Sequence, residues 1–260
     1  MKYLVLLLLL FVTPLFGDGT DLLQKQSDGS VEINSTNAWA IARGLCPKFD
    51  PLLNNSESAA NTIWGDLLGS ISDNFARHAA LAKYVSELDD ASARAKTVTN
   101  VTYAFGVGIG DYDFSAKAFP FGPVWTCVAA RTTNNLTGIS TCVAFDQALA
   151  TSIPVPEEDK ARALQTFITS RRHGLVAVVH GTIKGADQAY HNVAPFPAPI
   201  PGITDTENYR GGANYRIIIS LTSVDYHLGD AKGPVLCTQT FGASPSLSPL
   251  VLPPTSSPTP

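Results

Sequence analysis

Few residues in this chain have the types and spacing that chemistry needs. Asp225 and His227 sit two apart in a run, Tyr215 to His227, that reads as a strand, so both side chains leave the same face. His180 lies near the end of a second strand, Leu175 to Ile183. If those strands are neighbours, His180, Asp225 and His227 form a two-histidine, one-carboxylate metal set. The same groups also suit a general acid/base pair, because a carboxylate orients imidazole and raises its pKa. Polar groups at strand ends that bond only to backbone or water fit the same pattern.

Other candidate chemistry is thinner. Gly106, Gly108 and Gly110 lack dinucleotide-loop spacing, and no helix start follows to cradle phosphate. They read as the small face of a strand that leaves room for a neighbour. Asp111 and Asp113 share a side if the strand continues, as a glycosidase pair or a calcium site requires. Calcium needs more oxygens than two, and a polar turn accounts for both residues. There is no Gly-x-Ser-x-Gly elbow for a serine hydrolase. No cofactor motif occurs, and no cofactor is expected.

The four cysteines, Cys46, Cys127, Cys142 and Cys237, lack the knuckle spacing of zinc sites. A hairpin turning at Asn134-Asn135 makes facing residue numbers sum to 269. Cys127 then opposes Cys142, while Val124, Thr126 and Val128 meet Phe145, Val143 and Thr141. One register aligns both the cysteines and an apolar face, so Cys127–Cys142 is the expected bridge. That leaves Cys46–Cys237 to tie the early segment to the last strand.

Disulfides imply an oxidising compartment, and the start of the chain agrees. Met1-Lys2-Tyr3 is a cationic head, Leu4 to Phe11 a short apolar core, and Gly17 and Gly19 a small-residue cleavage zone. This is a secretory signal over residues 1–19, too short to span a bilayer. Asn34, Asn54, Asn100 and Asn135 each begin an N-glycan acceptor triplet. A net charge of −4 with no basic stripe argues against nucleic acid. The cluster Arg171-Arg172-His173 reads as the cationic end of a helix.

Elements must place these groups. Asp18 to Asn37 is polar and reads as a loose lead-in. Ala38 to Ala42 starts a short helix that Gly44 and Pro47 stop. Asn54 to Ser58 reads as a turn or cap, and from there to Lys96, Ile63, Leu67, Leu68, Ile71, Phe75, Leu81, Val85 and Leu88 recur at helical spacing. Gly69-Ser70 divides that run, with Ser70 and Asp73 as a capping box. Val101 to Ile109 alternates as a half-buried strand. Pro154 to Asp159 starts a helix with the apolar stripe Ala163, Leu164, Phe167 and Ile168. Val235 to Phe241 is the last strand. Gly185 to Ala213, with Tyr190, Phe196 and Tyr209 among prolines, is a loop long enough to be functional.

Helices first, then strands with one inserted helix, predict an α+β fold: N-terminal helices packed on a mostly antiparallel sheet. The globular domain is expected over 20–243, followed by a Pro/Ser/Thr-rich tail over 244–260. The function expected is that of a secreted, extracellular, disulfide-bonded glycoprotein acting as a non-catalytic binding or cell-surface module, with a protein or glycan as partner. It has no stable membrane insertion once the signal is removed. A secreted, metal-assisted hydrolase or lyase using His180, Asp225 and His227 is the alternative. Oligomeric state and any bound metal stay open.

Overall fold

A computed structural model describes residues 21–46, 55–124, 127–129, 140–171, 174–190, 213–242 and 246–252. Residues 1–20, with the expected signal, and Asn54, Asn135, Arg172-His173, the 191–212 stretch and the end of the tail lie outside the described residues. Strand β1 (Val31–Ile33) comes first. Four helices follow: α1 (Ala38–Leu45), α2 (Ser56–Ile63), α3 (Gly65–Ser70) and α4 (Asn74–Arg94). Strands β2 (Asn100–Ile109), β3 (Ala118–Val124), β4 (Cys127–Ala129), β5 (Ser140–Phe145) and β6 (Ser152–Pro154) precede α5 (Glu158–Arg171). The chain closes with β7 (Leu175–Tyr190), β8 (Ala213–Leu228), β9 (Val235–Thr240) and β10 (Ser246–Leu247).

The fold is α+β, with a mostly antiparallel sheet in the order β10-β9-β8-β7-β2-β3-β6. β1 joins the edge of β2 in parallel. The long strand β8 has two partners along one edge: its first half pairs with β5 in parallel, its second half with β9. β2 keeps its alternation: Val101, Tyr103, Phe105 and Val107 are buried, whereas Gly106 and Gly108 are open. Gly108 lies opposite Gly122 of β3 in ordinary contact, with a built Cβ 3.7 Å from the Gly122 Cα, and Gly106 faces open space; of the three glycines Gly110 is the crowded one, its Cβ position 3.0 Å from the Pro120 Cγ.

The core gathers on the other face. Phe145, Val143, Ala177, Val179, Tyr215, Ile217, Ile219 and Val224 are fully buried. α1 packs against β7, β8 and β5 on one side and α4 on the other. Enclosure explains why Ala38 to Ala42 are buried without a break. Three of those five are alanine, the residue that favours helix without bulk.

Several sequence expectations need correction. The lead-in is not loose. Leu23, Val31 and Ile33 are buried, Asn37 Nδ2 donates to the carbonyls of Leu22 and Glu32, and Arg94 holds Asp21 at 2.7 Å. In the helical run only Leu68 and Leu88 of the periodic residues are buried; Leu67 and Phe75 are exposed. The run is two short helices and one of 21 residues, broken at 71–73 just after Gly69-Ser70, and Ile63, Leu81 and Val85 are half-buried against the core. Ser70 is no cap: its hydroxyl donates to the Leu67 carbonyl, and Asp73 caps α4 by accepting from Ala76 N. In α5, Ala163 is exposed and Ala161 is buried instead, beside Leu164. Gly185 to Tyr190 and Ala213 extend β7 and β8 rather than belonging to a loop. The tail is not all stalk, since β10 pairs with β9 and Leu250 is buried.

The cysteines divide. Cys127 and Cys142 are Cα partners in β4–β5, as are Val128 and Thr141, in the register that sums to 269. Cys46 and Cys237, by contrast, are buried free thiols, which corrects the Cys46–Cys237 bridge. Cys46 ends α1, whose last turn leans on Ser92 and Ala95 of the helical layer. Cys237 pairs with Tyr226 at the β8–β9 ladder. Burial, and then the nearby Asp225 charge, push the Cys237 thiol up to about 12, so it is an inert thiol at neutral pH.

Candidate functional site

Strands β7 and β8 are neighbours, so the premise for the histidine site holds. His180 pairs with Thr102 of β2 and Ser223 of β8, and Asp225 pairs with Thr238 of β9. Strand alternation puts these residues on the face opposite the core. His180 Nε2 lies 3.2 Å from Asp225 Oδ2. The Thr238 hydroxyl donates to Asp225 Oδ1 at 2.6 Å and fixes the carboxylate from the other side. Because a carboxylate only accepts, Nε2 carries the proton and Nδ1 is the nitrogen left to act.

The electrostatics follow. The hydrogen bond to Asp225 raises the His180 pKa against the opposing effect of burial, and Asp225 and Asp28 add attraction. The Asp225 pKa is lowered, chiefly by the same bond to His180. His180 therefore contributes stability that is full below its unfolded value of 6.5 and is lost as pH rises through its higher folded value. Asp225 contributes stability that is present above its unfolded value and lost as pH falls through its lower folded one. Both groups are partly solvated, so their exchange is worth about 1 kcal/mol or less. Urea unfolding across that upper window should show the wild-type chain losing stability relative to His180→Gln as pH rises; parallel curves would remove the ion pair.

His227 does not join them. Its Nδ1 lies 2.8 Å from the Gly233 carbonyl, which can only accept, so Nδ1–H is spent on the β8–β9 turn. Gly233 is required there, because a Cβ would fall 2.1 Å from the Leu228 oxygen. Among the described residues no three His, Cys, Asp or Glu side chains gather as a metal site needs. The three-ligand set therefore gives way to a His–Asp pair with a tethered neighbour.

A second feature escaped sequence reasoning. Asp111, Tyr112 and Phe114, in the β2–β3 connection, face one stripe of α5 across a cleft of about 430 Å³. Asp113 does what a polar turn predicts: its Oδ1 accepts from Ser115 N, the Ser115 hydroxyl and Ala116 N. Lys117 completes the turn with φ 52°. The turn presents Phe114, which is 77% exposed. Its ring meets Tyr112 edge-on at 5.1 Å, and Tyr112 leans on the buried Phe119 at 5.1 Å. The two walls are joined, since Tyr112 OH donates to the Val155 carbonyl and Val155 N donates to the Lys117 carbonyl, both at 2.8 Å. The available signal was an aromatic placed inside a polar turn, Asp113-Phe114-Ser115, where no core can reach it.

Of the sequon asparagines, Asn34 and Asn100 are exposed. Asn34 Oδ1 accepts from the Thr36 and Asn37 amides. No helix among the described residues is long and apolar enough to cross a membrane. No family model, curated protein or solved structure matches the chain.

Proposed function

We propose that the chain is an exported, N-glycosylated binding module that recognises an extracellular partner without transforming it. In this reading residues 1–19 are removed, a Cys127–Cys142 bridge closes the β4–β5 hairpin, and the N-terminal helices are layered on the sheet as its scaffold. One observation carries it: a cleft with braced walls and an exposed aromatic on its rim. Bound ligands generally sit in concave sites of 300–1,000 Å³ with a few oriented polar groups, and an aromatic fixed in advance lowers the ordering cost of binding. The test is saturable binding of the secreted chain to an array of immobilised extracellular proteins and glycans. Binding should survive chelator and fall by roughly tenfold in Phe114→Ala, as truncating a central aromatic anchor does. Absence of saturable binding, or turnover of the ligand, would defeat the proposal.

The His180–Asp225 pair supports a second, catalytic reading. A carboxylate-oriented imidazole with its second nitrogen open is the arrangement of a general base. Metal assistance would show as a thermal shift on adding zinc, lost in both His180→Gln and Asp225→Asn. With neither a shift nor any hydrolytic turnover sensitive to those substitutions, the catalytic reading falls.

A further inference from the structure

We infer that the cleft between the 111–114 turn and α5 is a subsite for a neutral carbohydrate; this rests on the binding-module reading and names its ligand class. Glu158, Arg162 and Gln165 follow at helical spacing and form one stripe along α5, spanning about 10 Å at 1.5 Å per residue. A carboxylate, a guanidinium and a carboxamide are flat, forked groups that bind two vicinal hydroxyls at once. They face the Tyr112 and Phe114 rings across a floor made by the buried Ala161. A pyranose offers matching surfaces: a C–H face for an aromatic ring and hydroxyls around its edge.

Charge narrows the class. Asp111, Glu158 and Arg162 take part in no ion pair among the described residues, so all three are available to a ligand. Two carboxylates against one guanidinium repel sulfated or uronic glycans and other polyanions. Arg162, standing in the middle of the stripe, sets one like charge against a cationic peptide, a weaker bar than the two carboxylates set against a polyanion, so the lysine-rich peptide is the competitor that the experiment must exclude. A ligand that is polar, uncharged and partly apolar in shape satisfies both limits. The turn that carries Phe114 is already braced by Asp113 and by the Tyr112–Val155 bond, so the aromatic wall needs no ordering on binding.

The experiment is calorimetric titration of the full secreted chain with neutral hexasaccharides of glucose, N-acetylglucosamine, mannose and xylose, beside heparin and a lysine-rich peptide. At least one neutral sugar should bind. Phe114→Ala should weaken it by roughly tenfold, Phe114→Tyr should retain it, and Glu158→Gln with Arg162→Gln should weaken it further. Phe75→Ala is the control, because Phe75 is 89% exposed on α4, outside the cleft lining. Since Phe114 is exposed, its variants should keep the wild-type melting temperature. Failure of every neutral sugar, or binding indifferent to Phe114, overturns the carbohydrate assignment. Phe114-dependent capture of heparin or the peptide overturns it as well but leaves the binding module standing. Loss of all Phe114-dependent binding brings down both.

Discussion

Gly44→Ala is expected to lower the melting temperature by roughly 5–10 °C, through about 2–3 kcal/mol of overpacking. Gly44 lies in the last turn of α1, where that helix meets the end of α4. A Cβ there would stand 2.1 Å from the Ser92 carbonyl oxygen and 2.6 Å from the Ala95 Cβ. Neither atom can swing aside, since one is a backbone oxygen and the other a Cβ fixed directly to its Cα. The helices must part, and α1 cannot yield easily because it is clamped between α4 and the sheet. Ser92→Ala supplies a contrasting sign. The Ser92 hydroxyl is buried with no hydrogen-bond partner among the described residues. Its removal should be neutral or slightly stabilising, because an unsatisfied buried polar group costs free energy. The double variant should remain as unstable as Gly44→Ala, because the clash is with the Ser92 backbone. Calorimetric melting of the three variants decides it; a Gly44→Ala chain as stable as wild type would mean that the helices are not in contact there.

Gly44 also illustrates what could be read in the chain. Its place after an alanine-rich segment and before Pro47 marked the helix end to within two residues, although α1 runs through Gly44 to Leu45 and is capped at Cys46. That it is also a contact point was not legible, because the partner is nearly fifty residues away. Local periodicity was enough for β2, where a two-residue alternation meets one flat core face. After Ser58 it found the helices and their break but not every core contact, since Ile63, Leu68, Leu81, Val85 and Leu88 pack inward while Leu67 and Phe75 stay outside. The β4–β5 register was recoverable because two independent markers, cysteines and apolar residues, had to align at once. Cys46–Cys237 was inferred by elimination alone, with no geometry behind it. His180 and Asp225 were found because strand adjacency was the one missing premise. Thr238 and Asp28 were missed: the first needs the β8–β9 pairing, and the second comes from a segment with no periodicity of its own. Phe114 was overlooked for a related reason, since attention to apolar residues seeks those that bury.

Asp187→Ala should be the most damaging single change at a polar position. Asp187 of β7 and Arg216 of β8 are Cα partners on the face opposite the core. Arg216 Nε donates to Asp187 Oδ1 at 2.8 Å and Nη2 to Oδ2, which makes the pair bidentate. Only 9% of the Arg216 side chain is exposed, against 40% for Asp187. Removing the aspartate strands a guanidinium that cannot shed its proton. Breaking a fully buried pair costs 3–5 kcal/mol; water reaching the exposed side of this one brings the expectation to about 2–3 kcal/mol. Added salt should do little to the wild-type pair, because ions screen buried charges poorly. Replacing both members, Asp187→Leu with Arg216→Met, should return most of the loss, since apolar residues avoid the desolvation that the ion pair must offset. Urea unfolding of the three chains distinguishes this from simple packing loss. If the double variant is no better than Asp187→Ala, the aspartate acts through strand packing instead. Hydrogen exchange adds the location: the single variant should lose protection first at the far end of the β7–β8 ladder, around Gln188 and Tyr215, while Val178 and Val224 beside the histidine pair stay closed.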